Sequence, residues 1–171
     1  IEQEGTYPLP EAQLDRFILL VSLGYPTNEE ELAIIEGQQV AHPIDTLEAV
    51  TNAKEIIELQ ESVRHIFVDD LIKQYIVTVV DATRDHPDIA LGASPRGSLA
   101  LFRGGQALAL IRDRDFVLPD DVKELTASML SHRVIVSAAA RMRGIKASEI
   151  IDNIVSEIPV PGAQAADRAK R

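Results

Sequence analysis

Two arginines are the residues of this sequence whose type and position best suit chemistry. Arg96 lies in GASPRGSL (92–99), where Ser94 is suited to cap a helix and Pro95 to occupy its first position. Because the N-terminus of a helix carries a partial positive charge, a cation in the first turn is unfavourable unless an anion binds there. A guanidinium beside outward-pointing N–H groups suits phosphate well. Arg96 therefore indicates an anion site, with pairing to a protein carboxylate as the alternative.

Arg16, in LDRF (14–17), is the second candidate. It ends a short predicted helix, PEAQLDRF (10–17), and directly precedes the apolar run FILLVSLGY (17–25). A short apolar run closed by a glycine is typical of a buried strand, so Arg16 is expected near the edge of a sheet. Taken alone, such an arginine is expected to be solvated or paired with an acid. Nothing later in the sequence predicts a second strand, so the partners of this one are expected outside the chain.

Three other patterns do not support a chemical role. GASPRGS (92–98) has the glycine spacing of a phosphate-binding loop, but it lacks the lysine and does not follow a buried strand. The acids of HIFVDD (65–70) resemble a magnesium site, but Asp69 is better placed as the N-cap of the next helix. The four histidines have no metal-ligand spacing, and no Ser/His/Asp set stands out, although carboxylates on different helices could still pair in space. No metal site is predicted.

The composition narrows the classes of partner and compartment. The 171 residues carry a formal net charge of −10, which argues against nucleic acid and anionic membranes because both require clustered basic residues. Without cysteine the chain forms neither disulfides nor thiolate zinc sites, which fits a reducing, cytoplasmic compartment. No apolar run reaches the roughly 18 residues that span a membrane. The chain begins IEQEGTYPLP, without initiator Met or secretory signal, so we expect it to come from the interior of a longer protein.

The hydrophobic periodicity predicts an all-α fold after Pro26. Glycines at 104 and 105 would each cost about 1 kcal/mol relative to alanine inside a helix, which predicts close backbone packing there. Residues 1–10 are expected to form an irregular loop and residues 162–171 a frayed tail. Helices are expected where capping residues precede apolar stripes, in TNEEELAIIE (27–36) with a Thr27–Glu30 capping box, from Asp45 with Glu48, and in 51–61, 69–85, 95–111, 119–132 and 147–157.

Five blocks of the sequence, in order, resemble one family. They are GTYPLPEAQLDRFILLVSLGYP (5–26), YIVTVVDATRDHPDIALGASPRGSLAL (75–101), RDFVLPDDV (114–122), SHRVIV (131–136) and IPVP (158–161). Together they resemble the MoxR-type AAA+ ATPases, and the resemblance extends from Gly5 to Pro161. The first block is similar to the segment that follows the sensor 1 asparagine, and the second to the sensor 2 region of the lid.

The resemblance implies a division of the chain into three parts. Residues 1–25 would be the C-terminal remnant of the α/β core, with the arginine-finger helix and the last core strand. Residues 26–161 would be the all-helical lid domain, and residues 162–171 a flexible tail. The fold expected is therefore an all-α helical bundle with a short core remnant that includes one strand. The family's phosphate loop and magnesium-binding acids would belong to a core that this chain lacks.

The resemblance also implies roles for the two arginines. Arg16 corresponds to the catalytic arginine finger and Arg96 to the nucleotide-binding sensor 2 arginine, which leaves open whether Arg96 acts on its own subunit's nucleotide or on its neighbour's. The full-length protein would use ATP and Mg²⁺, whereas the fragment alone would be inactive and hold no cofactor. The sequence departs from the family pattern at four positions of packing and capping, none of them an arginine: Gly97, Gly104, Gly105 and Leu118.

Partners follow from the same resemblance. The full-length protein would form a ring, usually a hexamer, and act in a chaperone-like way alongside von Willebrand factor A-domain proteins on client metalloenzymes. Neither nucleic acid nor membrane is expected as a partner. The alternative is a stand-alone α-helical protein-interaction module without nucleotide chemistry.

Overall fold

The computed structural model describes residues 9–40 and 42–161, and the chain divides into two compact units. One unit contains the residues up to Leu20 and from Ser62 onward, and the other is Val21–Glu61. Of the loop expected at 1–10, residues 1–8 lie outside the described residues, and 9–10 form no helix or strand. The tail expected at 162–171 also lies outside the described residues. The elements are α1 (Glu11–Leu14), α2 (Asn28–Gly37), α3 (Ala53–His65), α4 (Asp70–Asp85), β1 (Ile89–Leu91), α5 (Pro95–Ile111), α6 (Pro119–Leu130), β2 (Ile135–Val136), α7 (Ala138–Met142) and α8 (Ala147–Glu157).

The Val21–Glu61 unit begins with the capping box that the sequence predicted. The Thr27 hydroxyl accepts a hydrogen bond from the Glu30 N–H at 3.3 Å, and the Glu30 carboxylate accepts one from the Thr27 N–H at 2.8 Å. These reciprocal bonds satisfy backbone donors that a helix start leaves unpaired. The helix expected from Asp45 is wrong: a short 3₁₀ helix, Pro43–Thr46, forms instead, because Pro43 starts the turn and the backbone is extended at Leu47.

The core of the larger unit lies among α4, α5, α6 and α8. Helix α4 begins at the predicted cap, where the Asp69 carboxylate accepts a hydrogen bond from the Leu71 N–H at 2.8 Å. Every helix of this core contributes aliphatic side chains that are almost completely buried, so burial of these stripes stabilises the packing. They include Val79, Val80, Leu101, Val122, Leu130, Ile150 and Ile151.

The predicted close packing at the glycines of α5 is confirmed. A Cβ atom on Gly105 would lie 3.1 Å from a methyl carbon of Val117, and one on Gly97 would lie 2.9 Å from a methyl carbon of Leu130. A Cβ atom on Gly104 would overlap the end of the Met129 side chain. The absence of side chains at these glycines therefore lets α6 and the turn before it approach α5 closely.

The turn between α5 and α6 is closed by one buried carboxylate. Asp121 accepts hydrogen bonds from Arg114 at 2.6 Å and Arg112 at 3.0 Å, and from the Leu118 N–H at 2.8 Å. Burial alone would raise the pKa of Asp121, but these hydrogen bonds and the arginine charges outweigh it, so the pKa of Asp121 is lowered. The ionised carboxylate thus fixes the end of α5 against the start of α6.

The structure contains a two-stranded antiparallel sheet that the sequence did not predict. β1 pairs with β2 through Ile89 opposite Val136 and Leu91 opposite Ile135, with an irregularity between the two pairs. Strands of three and two residues are too short to show an alternating pattern, so periodicity could not reveal them. None of the described helices is long and apolar enough to cross a bilayer.

The segment 17–25 differs from its prediction as a buried strand. The structure has no strand there, and its apolar side chains are exposed, Leu23 to 99%. A strand needs a neighbour for its backbone hydrogen bonds, and within the described residues the segment 18–25 makes one such bond, from the Leu20 N–H to the Ser128 carbonyl at 2.8 Å. The all-helical fold class is confirmed, but the predicted strand is not formed in this chain.

Candidate functional site

The start of α5 is held in place from three sides. The Ser94 hydroxyl caps the helix by accepting a hydrogen bond from the Arg96 N–H at 3.2 Å. In the preceding loop, the Ala93 N–H donates to the Thr83 hydroxyl at 2.9 Å, and the Ala93 carbonyl accepts from Arg84 at 3.1 Å. A Cβ atom on Gly92 would lie 2.6 Å from the Arg84 backbone, so only glycine fits this approach. Arg96 therefore projects from a firmly positioned turn.

The structure brings both predicted arginines into one groove. Arg16 and Arg96 line a cavity of about 330 Å³ together with two further arginines, Arg103 and Arg133. One carboxylate, that of Asp15, is also part of the wall. The remaining lining residues are Ile18, Leu99 and Ala100. Among the described residues, four arginines and one aspartate line this groove, which makes it locally basic in a chain with a net charge of −10.

Arg96 is weakly paired with the carboxylate of Asp15, which is the alternative that the sequence left open for it. One oxygen of the Asp15 carboxylate accepts a hydrogen bond from the Ser94 hydroxyl at 3.0 Å and lies 3.9 Å from the Arg96 guanidinium. That distance is at the outer limit of an ion pair, and the Arg96 side chain remains 54% exposed. Such a loose, solvent-exposed pair is worth little, so Arg96 retains its capacity to bind an incoming anion.

Arg16 itself is exposed, and its side chain makes no ion pair with any described residue. Its backbone follows α1, with the Arg16 N–H donating to the Gln13 carbonyl at 3.1 Å. An exposed guanidinium at the rim of a basic groove is accessible to an anion in solution. Of the two alternatives that the sequence left for Arg16, the structure therefore favours a solvated side chain.

Arg133 is a site residue to which the sequence gave no role. Its side chain is almost completely buried, and its guanidinium donates hydrogen bonds to the carbonyls of Phe17 at 2.5 Å, Met129 at 3.0 Å and Asp15 at 3.4 Å. Burial lowers the pKa of Arg133, and the charge of Arg96 lowers it further, while the charge of Asp15 raises it. Two of its partners, Asp15 and Phe17, lie more than a hundred residues away in sequence, so no local signal could have revealed these contacts.

Arg103 is the second site residue that sequence reasoning missed. It lies two turns after Arg96 on the same face of α5, and its guanidinium donates to the side-chain oxygen of Gln106 at 3.0 Å. Gln106 is itself buried and donates to the Ile66 carbonyl at 2.8 Å. The Arg103 guanidinium also lies 5.4 Å from the centre of the Phe102 ring. The seven-residue spacing of the two arginines was the available signal.

The arrangement suits the phosphate groups of a ligand more than a metal ion. Guanidinium groups bind phosphate oxygens through paired hydrogen bonds, and the groove has room for more than one phosphate group. Within residues 9–40 and 42–161, no cluster of three or more histidines and acids could hold a metal ion. The described residues of the groove therefore offer several guanidinium donors to an anion such as phosphate.

Comparison with known proteins identifies the lid. Residues 81–154 match the model of the AAA lid domain. The chain is 47% identical to YeaC of Bacillus subtilis, over 98% of this chain and 52% of that protein. It is 36% identical to the chaperone MoxR1 of Mycobacterium tuberculosis, over 96% of this chain and 46% of that protein.

A solved structure supports the same relationship. The crystal structure of a candidate ATPase from Cytophaga hutchinsonii is similar with a TM-score of 0.84 and 31% identity, over 94% of this chain and 51% of that one. The chain thus spans about half the length of the curated relatives it matches. By its AAA lid domain and its similarity to MoxR proteins along nearly its whole length, this chain is similar to the C-terminal region of MoxR-type AAA+ ATPases.

Proposed function

We propose that this chain is the lid and arginine-finger portion of a MoxR-type AAA+ ATPase that couples ATP hydrolysis to chaperone-like remodelling or maturation of partner proteins. The observation that carries the proposal is the groove at the start of α5, which both Arg16 and Arg96 line. The AAA lid domain and the relative named as a chaperone support the ATPase and the chaperone-like role.

The two arginines would act on the nucleotide in different ways. Arg96, at a positively polarised helix start, would bind the terminal phosphate and register its loss. Arg16, whose side chain is exposed and unpaired among the described residues, would reach the γ-phosphate held by a neighbouring subunit. There it would stabilise the charge that develops during transfer, an effect worth about 10³–10⁵ in rate in other NTPases.

The remaining machinery would come from outside the described residues. The phosphate loop and the magnesium-binding acids would belong to a core domain, and the ring, usually a hexamer, would bring Arg16 to the next subunit. ATP and Mg²⁺ would bind in the full-length protein. Partners would be von Willebrand factor A-domain proteins and client metalloenzymes, in the cytoplasm. Whether Arg96 serves its own or the neighbouring subunit's nucleotide does not alter these assignments.

Phosphate release would be converted to motion through Arg96. When the terminal phosphate is present, Arg96 would bind it and hold the lid in one orientation. When the phosphate leaves, that contact is lost and the lid is free to rotate, as in other hinge-type transitions. Because α5 packs in the centre of the lid, such a rotation would involve the whole helical unit.

The decisive experiment replaces Arg16 by alanine in the full-length protein. Turnover of ATP is expected to fall by about 10³-fold or more, the magnitude typical of a lost arginine finger, while the Kd for nucleotide changes little. Arg143→Ala is the matched control, because Arg143 is an exposed arginine that pairs with Asp88 and does not line the groove. Turnover of the Arg16 variant equal to that of the control would rule out the finger role.

The same experiment separates the alternative of a protein-interaction module. The exposed apolar side chains of 17–25 are the observation that favours such a module. A module without nucleotide chemistry predicts that neither Arg16→Ala nor Arg96→Ala changes any property of the full-length protein toward ATP. For the 171-residue chain by itself, the proposal predicts neither ATP turnover nor tight ATP binding.

A further inference from the structure

We propose that Arg133 is the positioning residue of Arg16. One buried guanidinium holds the residues on both sides of Arg16 and thereby fixes where the Arg16 side chain emerges from the lid. The inference rests on the proposed role of Arg16 in catalysis. It assigns the accurate placement of Arg16 to a residue whose guanidinium is engaged by backbone carbonyls and by the Asp15 carboxylate.

Arg133 binds the backbone on both sides of Arg16. Its Nη2 donates to the backbone carbonyl of Asp15 at 3.4 Å and to that of Phe17 at 2.5 Å. These two residues flank Arg16 directly. The Nε atom of Arg133 also lies 3.3 Å from the Asp15 carboxylate, and its Nη1 donates to the Met129 carbonyl at 3.0 Å, which ties the group to the end of α6.

The segment that carries Arg16 is not stabilised by its own helix. Helix α1 contains four residues, too few to be stable in isolation, and it buries none of its side chains. Its continuation is held by contacts with the end of α6 and the turn after it: His132 Nε2 lies 2.9 Å from the Phe17 carbonyl, and the Leu20 N–H donates to the Ser128 carbonyl. The position of Arg16 therefore depends on groups elsewhere in the unit. Arg133 contacts both neighbours of Arg16, whereas His132 contacts Phe17 and Ser128 contacts Leu20.

The contacts of Arg133 also extend, through Asp15, to the turn that carries Arg96. The Asp15 carboxylate, one oxygen of which faces Arg133, accepts a hydrogen bond from the Ser94 cap with the other. A shift of Asp15 would change the position of Arg16 and the environment of Arg96 together. A displacement of about 1 Å at a catalytic group can cost 10²-fold in rate.

An arginine is required for this task. The guanidinium presents five donors in a planar fork, whereas a lysine ammonium is a compact point charge. Arg133→Lys would keep the charge opposite Asp15 but could not serve the carbonyls of Phe17 and Met129 at the same time. Arg133→Lys is therefore expected to show the same defect as Arg133→Gln, but a smaller one. It provides the same test should the glutamine variant fail to fold.

The effect of Arg133 on the segment that carries Arg16 can be tested on this chain by limited trypsin digestion. In Arg133→Gln, cleavage after Arg16 is expected to be about tenfold faster, because cleavage follows local opening of the segment, while cleavage after Arg84 in α4 stays within about twofold. Arg112→Gln is the control, since it also removes an arginine from a buried carboxylate, Asp121, far from Arg16 in the fold. Unchanged cleavage after Arg16, or an equal increase after Arg84, would overturn the proposal.

The functional consequence is tested by a double-mutant cycle in the full-length protein. Arg133→Gln is expected to lower kcat about tenfold or more with less than about twofold change in KM, since it misplaces Arg16 without removing it. In the Arg16→Ala background the same change should lower kcat by less than about twofold. Multiplicative effects of the two substitutions would mean that Arg133 does not act through Arg16. If Arg16→Ala alone leaves turnover unchanged, the finger role fails, and the digestion still decides whether Arg133 positions the segment.

Discussion

The two arginines of the groove are held in contrasting ways. Arg96 stands on a capped helix whose inner face is buried in the core, so its position follows from the packing of the lid. Arg16 stands on an exposed segment whose position follows from polar contacts to Arg133, His132 and the Ser128 carbonyl. The difference teaches that a side chain on a packed helix is placed by hydrophobic burial. A side chain on an exposed segment is placed by polar contacts, and substituting those contacts should move it without unfolding the core.

The largest expected effect concerns the packed side of this comparison. Leu101 is completely buried in α5, and Leu101→Ala should lower the free energy of unfolding by about 2–5 kcal/mol. The same substitution at Leu99, which is 64% exposed on the same helix, should change it by less than about 0.5 kcal/mol. Urea denaturation followed by circular dichroism measures both. Equal losses at the two positions would mean that α5 is not held by its buried face.

The next largest effect is expected from removing the Asp15 carboxylate, which links the segment of Arg16 to the start of α5. Asp15→Asn keeps the shape of the side chain but leaves the buried Arg133 without its counter-charge, at an expected cost of about 1–3 kcal/mol. It should also expose Arg96 to solution anions, since the carboxylate is its ion-pair partner. Titration with pyrophosphate, followed through the NMR signals of the arginine side chains, should therefore detect tighter binding in the variant. Weaker binding would indicate that Asp15 helps to hold the anion.

A smaller effect separates the cap of α5 from its contact with Asp15. Ser94→Ala removes the helix cap and the hydrogen bond to Asp15, and should destabilise by about 1–2 kcal/mol. Ser137 is the matched control, because it caps α7 in the same way, with the Ala140 N–H at 3.3 Å. Only Ser94→Ala should also accelerate trypsin cleavage after Arg16. Faster cleavage in both variants would contradict a specific link.

The smallest effect concerns the far end of α5. The lowered pKa of Asp121 means that its carboxylate contributes stability above the pKa of an unfolded aspartate, about 3.9, and that this contribution is lost as the pH falls through the folded value. Denaturation midpoints should therefore decline below about pH 4, and Asp121→Asn should flatten that part of the profile. An unchanged decline in the variant would assign it to other acids.

The sequence predicted most of the helices because their signals are local. Thr27, Asp69 and Ser94 each precede an apolar stripe, and each caps its helix as expected. The helix expected from Asp45 failed, since Pro43 starts a 3₁₀ turn there and the backbone is extended at Leu47. The strand expected at 17–25 failed because strand formation requires a neighbouring strand, which no property of the run itself can supply.

The site was predictable only in part, for a similar reason. Arg96 could be identified from the conflict between its charge and the helix start, a matter of adjacent residues. Arg16 owed its role to the family resemblance, since its local sequence indicates only a surface arginine. Arg133 depends on carbonyls 116 and 118 positions away, and such contacts are a property of the folded chain alone.

The glycines of α5 have a consequence for how the site can move. Since a Cβ atom on Gly97 would meet Leu130 and one on Gly104 would meet Met129, side chains of α6 pack directly against the backbone of α5. The residues that follow α6 are the ones that hold Arg16. If the proposed roles hold, a tilt of the first turn of α5 on binding phosphate would be passed through α6 to the segment that carries Arg16, and the two arginines would change position together.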